Sequence, residues 1–244
     1  MAKVRAPIDP VADLRRRLAR IGRGALPLGK IQTCVRTWWR DHELDDHPAT
    51  VGKRIAIVLI EQRSAVHKLA GILVLEKLGD QLRAADVTAF ARLFHGDHLA
   101  AFDVVDRFAT CVLGAMLEHE SAQADVAHAL ASWRSAETGW QRRAACVAFT
   151  RIAANGNSSV PGLASVILAM CSTVVWSIEC CDQTAVGWVL RELARVESDR
   201  VEAFVVRHAR LMSRECARLA ITTLPTDRRT ELLAHHTRAT TLRR

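Results

Sequence analysis

Three short segments of the 244-residue chain set chemically capable side chains at helical spacing. In Phe102-Asp-Val-Val-Asp106-Arg107 an aromatic ring and a carboxylate stand four residues apart, which is one turn and one face of a helix. Trp140-Gln-Arg-Arg143-Ala-Ala reads as a helix start, with Arg151 two turns further on. Gly187-Trp188-Val-Leu-Arg191-Glu192 puts an indole and a guanidinium three residues apart, again on one face. An ionised aspartate beside a reacting centre can stabilise a developing cation and orient an attacking water. Electron-rich rings attract the same cation by roughly 0.5–2 kcal/mol, depending on desolvation. Arginine forks hold phosphates and set register on a nucleic acid without reading its sequence. Taken singly, each segment also has an ordinary use. Asp106 fits a solvated acid, Trp188 a core residue, Trp140 an anchor for its helix start, and Arg143 and Arg191 solvated arginines.

The charge balance narrows the partners. A net charge of +8 and an isoelectric point near 9.6 favour a polyanion. Lysine occurs only at positions 3, 30, 53, 68 and 77, so arginine supplies most of the cation. No apolar run approaches the roughly 20 residues that cross a bilayer, and no lipid-anchor motif is present, so nucleic acid comes before membrane. The start lacks signal-peptide character, since Pro7, Asp9 and Pro10 interrupt it. A cytoplasmic location is expected, in association with the nucleoid when the protein is on DNA. The seven cysteines are odd in number and scattered, which predicts free thiols, mostly buried, in a reducing compartment. Neither Cys180-Cys181, which cannot face one way on a helix, nor His95-Gly-Asp-His98 and His235-His236 has ligand partners at metal spacing, so no metal site is expected and these histidines read as surface residues. P-loop, Gly-x-Gly-x-x-Gly and Gly-x-Ser-x-Gly signatures are missing as well.

The elements that must position the three segments are helices. Apolar residues recur every three or four positions in 31–39, 52–60, 66–78, 104–117, 126–133, 143–152, 160–170, 185–196 and 217–224. Pro27, Pro48, Pro161 and Pro225 mark helix starts, and Asn155-Gly156 reads as a helix end with Gly156 in the cap. Trp38 and Trp39 are expected to pack the N-terminal part, with Arg36 and Arg40 free to meet phosphates. Gly187 within a helix costs about 1 kcal/mol relative to alanine, which points to a close approach at its backbone. A loose recurrence of about 30–40 residues in the later part matches two-helix solenoid repeats. The chain therefore reads as one all-α domain over 1–244, with frayed ends at 1–10 and 236–244.

In order and separation the three segments resemble the AlkD-like DNA alkylation repair glycosylases. That family carries an aromatic-Asp-x-Val-Asp stretch, a Trp-x-x-Arg-x-Ala helix start and a Gly-Trp-x-Leu-Arg-Glu helix. Ser213-Arg214-Glu215 also resembles the family's Ser-x-Arg-Glu type of helix start. The resemblance runs from about Pro48 to Leu224 and is strongest after Asp97. It implies a HEAT-like helical solenoid with a concave basic DNA-binding surface. Asp106 would be the catalytic carboxylate, with Phe102 and Trp188 as aromatic walls. Arg143, Arg191, Arg151 and Arg214 would contact the DNA. The implied partner is double-stranded DNA with cationic N3- or N7-alkylated purines, hydrolysed at the N-glycosidic bond by a monomer with no metal and no organic cofactor. Base flipping is not required in such a family, and a cleft adapted to bulky adducts is open to it. Two departures stand out. Position 102 is Phe where well-known members have Trp, and the chain has no tyrosine, so a family tyrosine finds no counterpart near Pro27–Lys30. Two other uses fit the composition: a non-catalytic HEAT-repeat module for damaged or branched DNA, and a solenoid that binds protein.

Overall fold

The computed structural model describes residues 9–21, 28–119, 123–155 and 160–241, and all its regular elements are helical. The first half carries α1 (Pro10–Ala19), α2 (Leu28–Asp41), α3 (Ala49–Ile60), α4 (Ala65–Leu78), α5 (Ala84–Phe90) and α6 (Arg92–His95). Next come α7 (Phe102–Phe108), which runs through a π turn at Ala109–Leu113 into α8 (Gly114–Met116), and α9 (Gln123–Ser132). The second half holds α10 (Gly139–Ala148), α11 (Thr150–Asn155), α12 (Leu163–Val174) and α13 (Cys180–Leu193). It ends with α14 (Ser198–His208), α15 (Arg214–Ala220) and α16 (Thr226–Thr241). None of these is long and apolar enough to cross a membrane.

Local chemistry sets several of the starts. The Asp9 carboxylate accepts the Val11 amide at 3.0 Å, and Pro10 takes the first position of α1. Thr138 caps α10 by accepting the Gln141 amide, and Ser213 caps α15 by accepting that of Cys216. Pro48 and Pro225 stand immediately before α3 and α16, while α12 starts at Leu163, after Gly162 in the left-handed region. Pro27 and Gly156 lie outside the described residues.

Packing arranges the helices in two layers. α7, α10, α13 and α15 lie side by side in chain order, and α4 continues this row beyond α7. α12 and α14 back the row, α9 packs on α5 and α12, and α16 packs on both α14 and α15. The architecture is a helical repeat in which each pair buries its apolar face on its neighbours. One apolar cluster runs through it from Leu14 to Leu232. Trp38 and Trp39 are buried in its N-terminal part, where their ring N–H groups donate to the Pro10 carbonyl at 2.9 Å and to Asp45 at 2.8 Å. All seven cysteines are free, and burial pushes the Cys171 and Cys216 thiols well up.

Two features fix the spacing of the row. Arg142 of α10 donates from Nε and Nη2 to Asp182 of α13 at 2.9 and 2.6 Å. Burial raises the Asp182 carboxyl above its ordinary value even though Arg142 pulls the other way. Asp182 is fully buried, so the pair is an internal one in which removing a single partner strands a charge. Further along, Gly187 receives α15 against its backbone. A Cβ there would come within 2.8 Å of both the Cys216 carbonyl and Leu219 Cβ. The close approach expected at Gly187 is therefore made by a neighbouring helix.

The C-terminal end differs from expectation. Helix α16 continues to Thr241, so residues 236–241 are ordered in a helix rather than frayed. The reason is tertiary: His236 is buried and its Nε2 meets the Met212 carbonyl at 3.0 Å, which also removes it from the surface histidines.

Gly187→Val is expected to lower stability by about 1–3 kcal/mol through overpacking against α15, while Gly29→Ala, with open space around it, leaves the melting temperature unchanged or raises it. Circular-dichroism melts of both variants check this. Arg142→Met leaves the buried Asp182 without its cation and should cost about 3–5 kcal/mol; a melting temperature equal to wild type would contradict the assigned role of the pair.

Candidate active site

Asp106 occupies the fifth position of α7, one turn after Phe102, and both project toward α10. Its oxygens are each taken by Arg143: Nε donates to Oδ1 at 2.6 Å and Nη2 to Oδ2 at 2.7 Å. This two-pronged arrangement is the strong form of an arginine–carboxylate pair and fixes the plane of the carboxylate. The Arg143 Nη1 turns the other way and donates to the Cys181 carbonyl at 2.9 Å and to Thr184 Oγ1 at 2.8 Å. One guanidinium thus ties α7 and α13 together through α10. The Arg143 side chain is 6% exposed, whereas that of Asp106 is 25% exposed, so the carboxylate keeps an edge toward solvent.

An aromatic pair covers this ion pair. The Arg143 Cζ lies 4.6 Å from the Phe102 ring centroid, within cation–π range. Trp140 meets Phe102 edge to face at 4.9 Å between centroids, with 80° between the planes. Phe102 itself is 47% exposed. The local backbone is also unusual here. The π turn begins three residues after Asp106, and the Thr110 hydroxyl donates to the Asp106 carbonyl at 2.7 Å. Such wide turns concentrate at functional positions.

The remaining expected residues lie further along the row. Trp188 is half-buried against the core, and Arg191 Cζ stands 5.9 Å from its ring centroid. Thr184, Trp188 and Arg191 follow at i, i+4 and i+7, so they share the face of α13 that begins at Arg143. Arg191 pairs with Glu192 at 2.6 Å, partly buried, and Arg151 with Glu118 at 2.8 Å at the surface, where such pairs are weak and exchangeable. Arg214 is exposed at the start of α15 and lines a separate cleft with α16.

Arg143 is the residue whose surroundings depart most from expectation. As a phosphate contact it would need a free fork, yet its guanidinium is buried and makes four hydrogen bonds inside the protein. Sequence reasoning also passed over Trp140, taken as a helix anchor, and Thr184. Both carried a signal: Trp140 precedes Arg143 by three residues and Thr184 precedes Trp188 by four.

Glu179, Cys181 and Asp182 place one ligand atom each within 4.8 Å of one another, a grouping that could hold a cation. The Arg142 guanidinium already stands between the two carboxylates, at 3.5 Å from Glu179 and 2.6 Å from Asp182. Burial, with the charges of Asp182 and Glu179 beside it, pushes the Cys181 thiol up to about 11, which keeps it protonated. A fixed cation and a protonated thiol make this group a poor metal cage.

The family model for "DNA alkylation repair enzyme" matches residues 25–224. Among solved structures, a predicted DNA alkylation repair enzyme from Enterococcus faecalis is similar with a TM-score of 0.69 and 14% identity, covering 93% of this chain and 100% of that one. AlkD2 from Streptococcus mutans is similar with a TM-score of 0.64 and 13% identity, covering 89% of this chain and 100% of that one. These two likenesses concern the fold alone. A comparison with curated proteins found no match. Because the family model spans most of its length, the chain belongs to the DNA alkylation repair enzyme family.

Proposed function

We propose that the protein is a monofunctional DNA glycosylase that hydrolyses the N-glycosidic bond of cationic N3- or N7-alkylated purines in duplex DNA. The observation that carries this reading is the Asp106 carboxylate, fixed by Arg143 beneath the exposed Phe102 ring. An alkylated purine already bears positive charge, so its departure needs no proton from the protein. As the bond lengthens, the deoxyribose becomes oxocarbenium-like. A carboxylate whose orientation is set in advance stabilises that charge without reorganising at the moment of reaction. The same group can orient the water that completes hydrolysis. In this reading Arg143 acts on Asp106 as a positioning residue, in place of the phosphate contact expected from the family resemblance.

The aromatic side chains supply the second part. Phe102, stiffened by Trp140, offers a ring edge and face to the cationic base, and Trp188 stands two helices along the row as a second wall. The carboxylate lies at a partly exposed surface rather than at the base of a deep pocket, which suits a lesion that stays stacked in the duplex and leaves room for bulky adducts. Arg191 and Arg151 exchange their glutamate partners for phosphates, and Arg214 adds a contact at the next helix. A concave basic face of the repeat would receive the duplex, with the protein acting as a monomer at the nucleoid.

A second reading is favoured by the engagement of both Asp106 oxygens: a module that binds damaged or branched DNA without removing a base. Chromatography of bases released from methylated DNA separates the two. Release of 7-methylguanine or 3-methyladenine by the wild-type protein supports the glycosylase, and binding to branched DNA with no release supports the alternative.

Asp106→Asn should lower base release by roughly 100-fold or more, the scale of losing a preorganised electrostatic stabiliser, with the melting temperature measured alongside; wild-type release by this variant would remove Asp106 from the reaction. Phe102→Leu should lower single-turnover release about 2–30-fold, the rate equivalent of 0.5–2 kcal/mol of cation–π attraction. Phe102→Trp should restore or exceed the wild-type rate.

A further inference from the structure

The arginines of the second half divide by what they face. Arg143, Arg151 and Arg191 each lie against a carboxylate, as does Arg228 of α16, which meets Glu202 and Glu231. Arg214, Arg218 and Arg229 do not, and neither do Arg207, Arg210 and Arg238: no carboxylate oxygen lies within 4.0 Å of their guanidinium nitrogens among the described residues, and what sets the first three apart is the cleft they share. All three line one cleft of about 810 Å³ between α15 and α16. Arg214 and Arg218 sit at i and i+4 on α15 and are exposed, and Arg229 projects from the opposite wall. Like charges at that spacing oppose helix formation slightly. Glu215 is the one acid on the lining, so the cleft holds three guanidinium groups against one carboxylate.

The walls also supply neutral donors and a hydrophobic floor. Thr230 lines the cleft, the Thr226 hydroxyl receives Arg229 Nη2 at 3.0 Å and so sets the direction of that side chain, and Leu219 and Leu233 form apolar surface below. Unpaired guanidinium groups, hydroxyls and a strip of apolar surface together match a sugar–phosphate backbone.

The position of the cleft fits the same ligand. Helix α15 packs directly on α13 at Gly187, next to Trp188. The cleft therefore lies one helix beyond the α13 face that carries Trp188 and Arg191, a spacing of about 8–10 Å between packed helices. Each such helix spacing is two to three nucleotide steps at about 3.4 Å each. The family match ends at residue 224, so the wall formed by α16 lies outside it.

We propose that the α15–α16 cleft is a second anion site, which holds the backbone phosphates of duplex DNA beyond the stretch that meets Trp188 and Arg191. The proposal rests on the reading that this chain acts on duplex DNA. It assigns Arg218 and Arg229 to binding and gives Arg214 two partners in that task. The site is independent of sequence and of damage, since it touches phosphates alone.

The test is binding of an undamaged duplex oligonucleotide, followed by fluorescence anisotropy over a range of salt concentrations. Each phosphate contact contributes a slope of about −0.9 in log K against log salt. The double variant Arg218→Gln/Arg229→Gln should therefore show a slope shallower by about two. Its low-salt affinity should fall at least about tenfold. Arg228→Gln, on the same helix but paired outside the cleft, is the control for loss of one positive charge at this end of the chain and should leave the slope near wild type. Circular-dichroism melts establish that all variants are folded. If wild-type protein binds duplex and the double variant matches it, or loses no more than Arg228→Gln, the cleft is not a phosphate site and the wider reading stands. If wild-type protein does not bind duplex at low salt, the wider reading falls and the cleft falls with it.

Discussion

The guanidinium of Arg143 is the point on which the site depends. It lies buried between two helices of the row and satisfies one with each edge: two nitrogens go to Asp106 of α7, and the third goes to the Cys181 carbonyl and Thr184 of α13. A buried ion pair gains little net stability unless its geometry is good and its remaining donors are met. Here both conditions hold, because the fork matches the carboxylate and the opposite edge finds two oxygens. The consequence is positional. The spacing of α7, α10 and α13 fixes where the carboxylate stands, and any movement of one helix is felt at Asp106.

Around that point the chain uses arginine in three different ways. Arg142 and Arg143 are adjacent in sequence, and both are turned inward, each against an aspartate on a neighbouring helix. Arg151 is paired at the surface, where water and salt make the pairing weak, and Arg191 and Arg228 meet the less exposed Glu192 and Glu202. Arg214, Arg218 and Arg229 have no carboxylate and face one cleft. A basic net charge alone does not distinguish these uses. What distinguishes them is the burial of each side chain and the element packed opposite it.

The aromatic residues follow the same logic. Trp38 and Trp39 are buried and hydrogen-bonded, and they build the N-terminal core. Phe102 is left half in solvent above an ion pair, braced by Trp140. An exposed ring has no packing reason to be there, and its contact with a buried cation gives it a fixed position. A phenylalanine at this position presents a smaller π face than tryptophan, so the bracing by Trp140 matters more than it would for a larger ring.

The helical class, the place of the three segments on helices and the faces they share follow from the order of residues alone, because periodicities of three and four are local properties of the chain. Phe102 with Asp106, Trp140 with Arg143, and Trp188 with Arg191 were all legible in this way, and so was the need for close approach at Gly187. The tertiary structure decided which face meets which. It turned Arg143 from a free fork into the partner of Asp106, brought Thr184 into that contact, made Trp140 the brace of Phe102, and ordered 236–241 by burying His236. These are contacts between residues about 24–41 positions apart, and they depend on the packing of whole helices, which no local spacing encodes. The cleft between α15 and α16 belongs to the same class, since its two basic walls face each other only after both helices have docked on the end of the row.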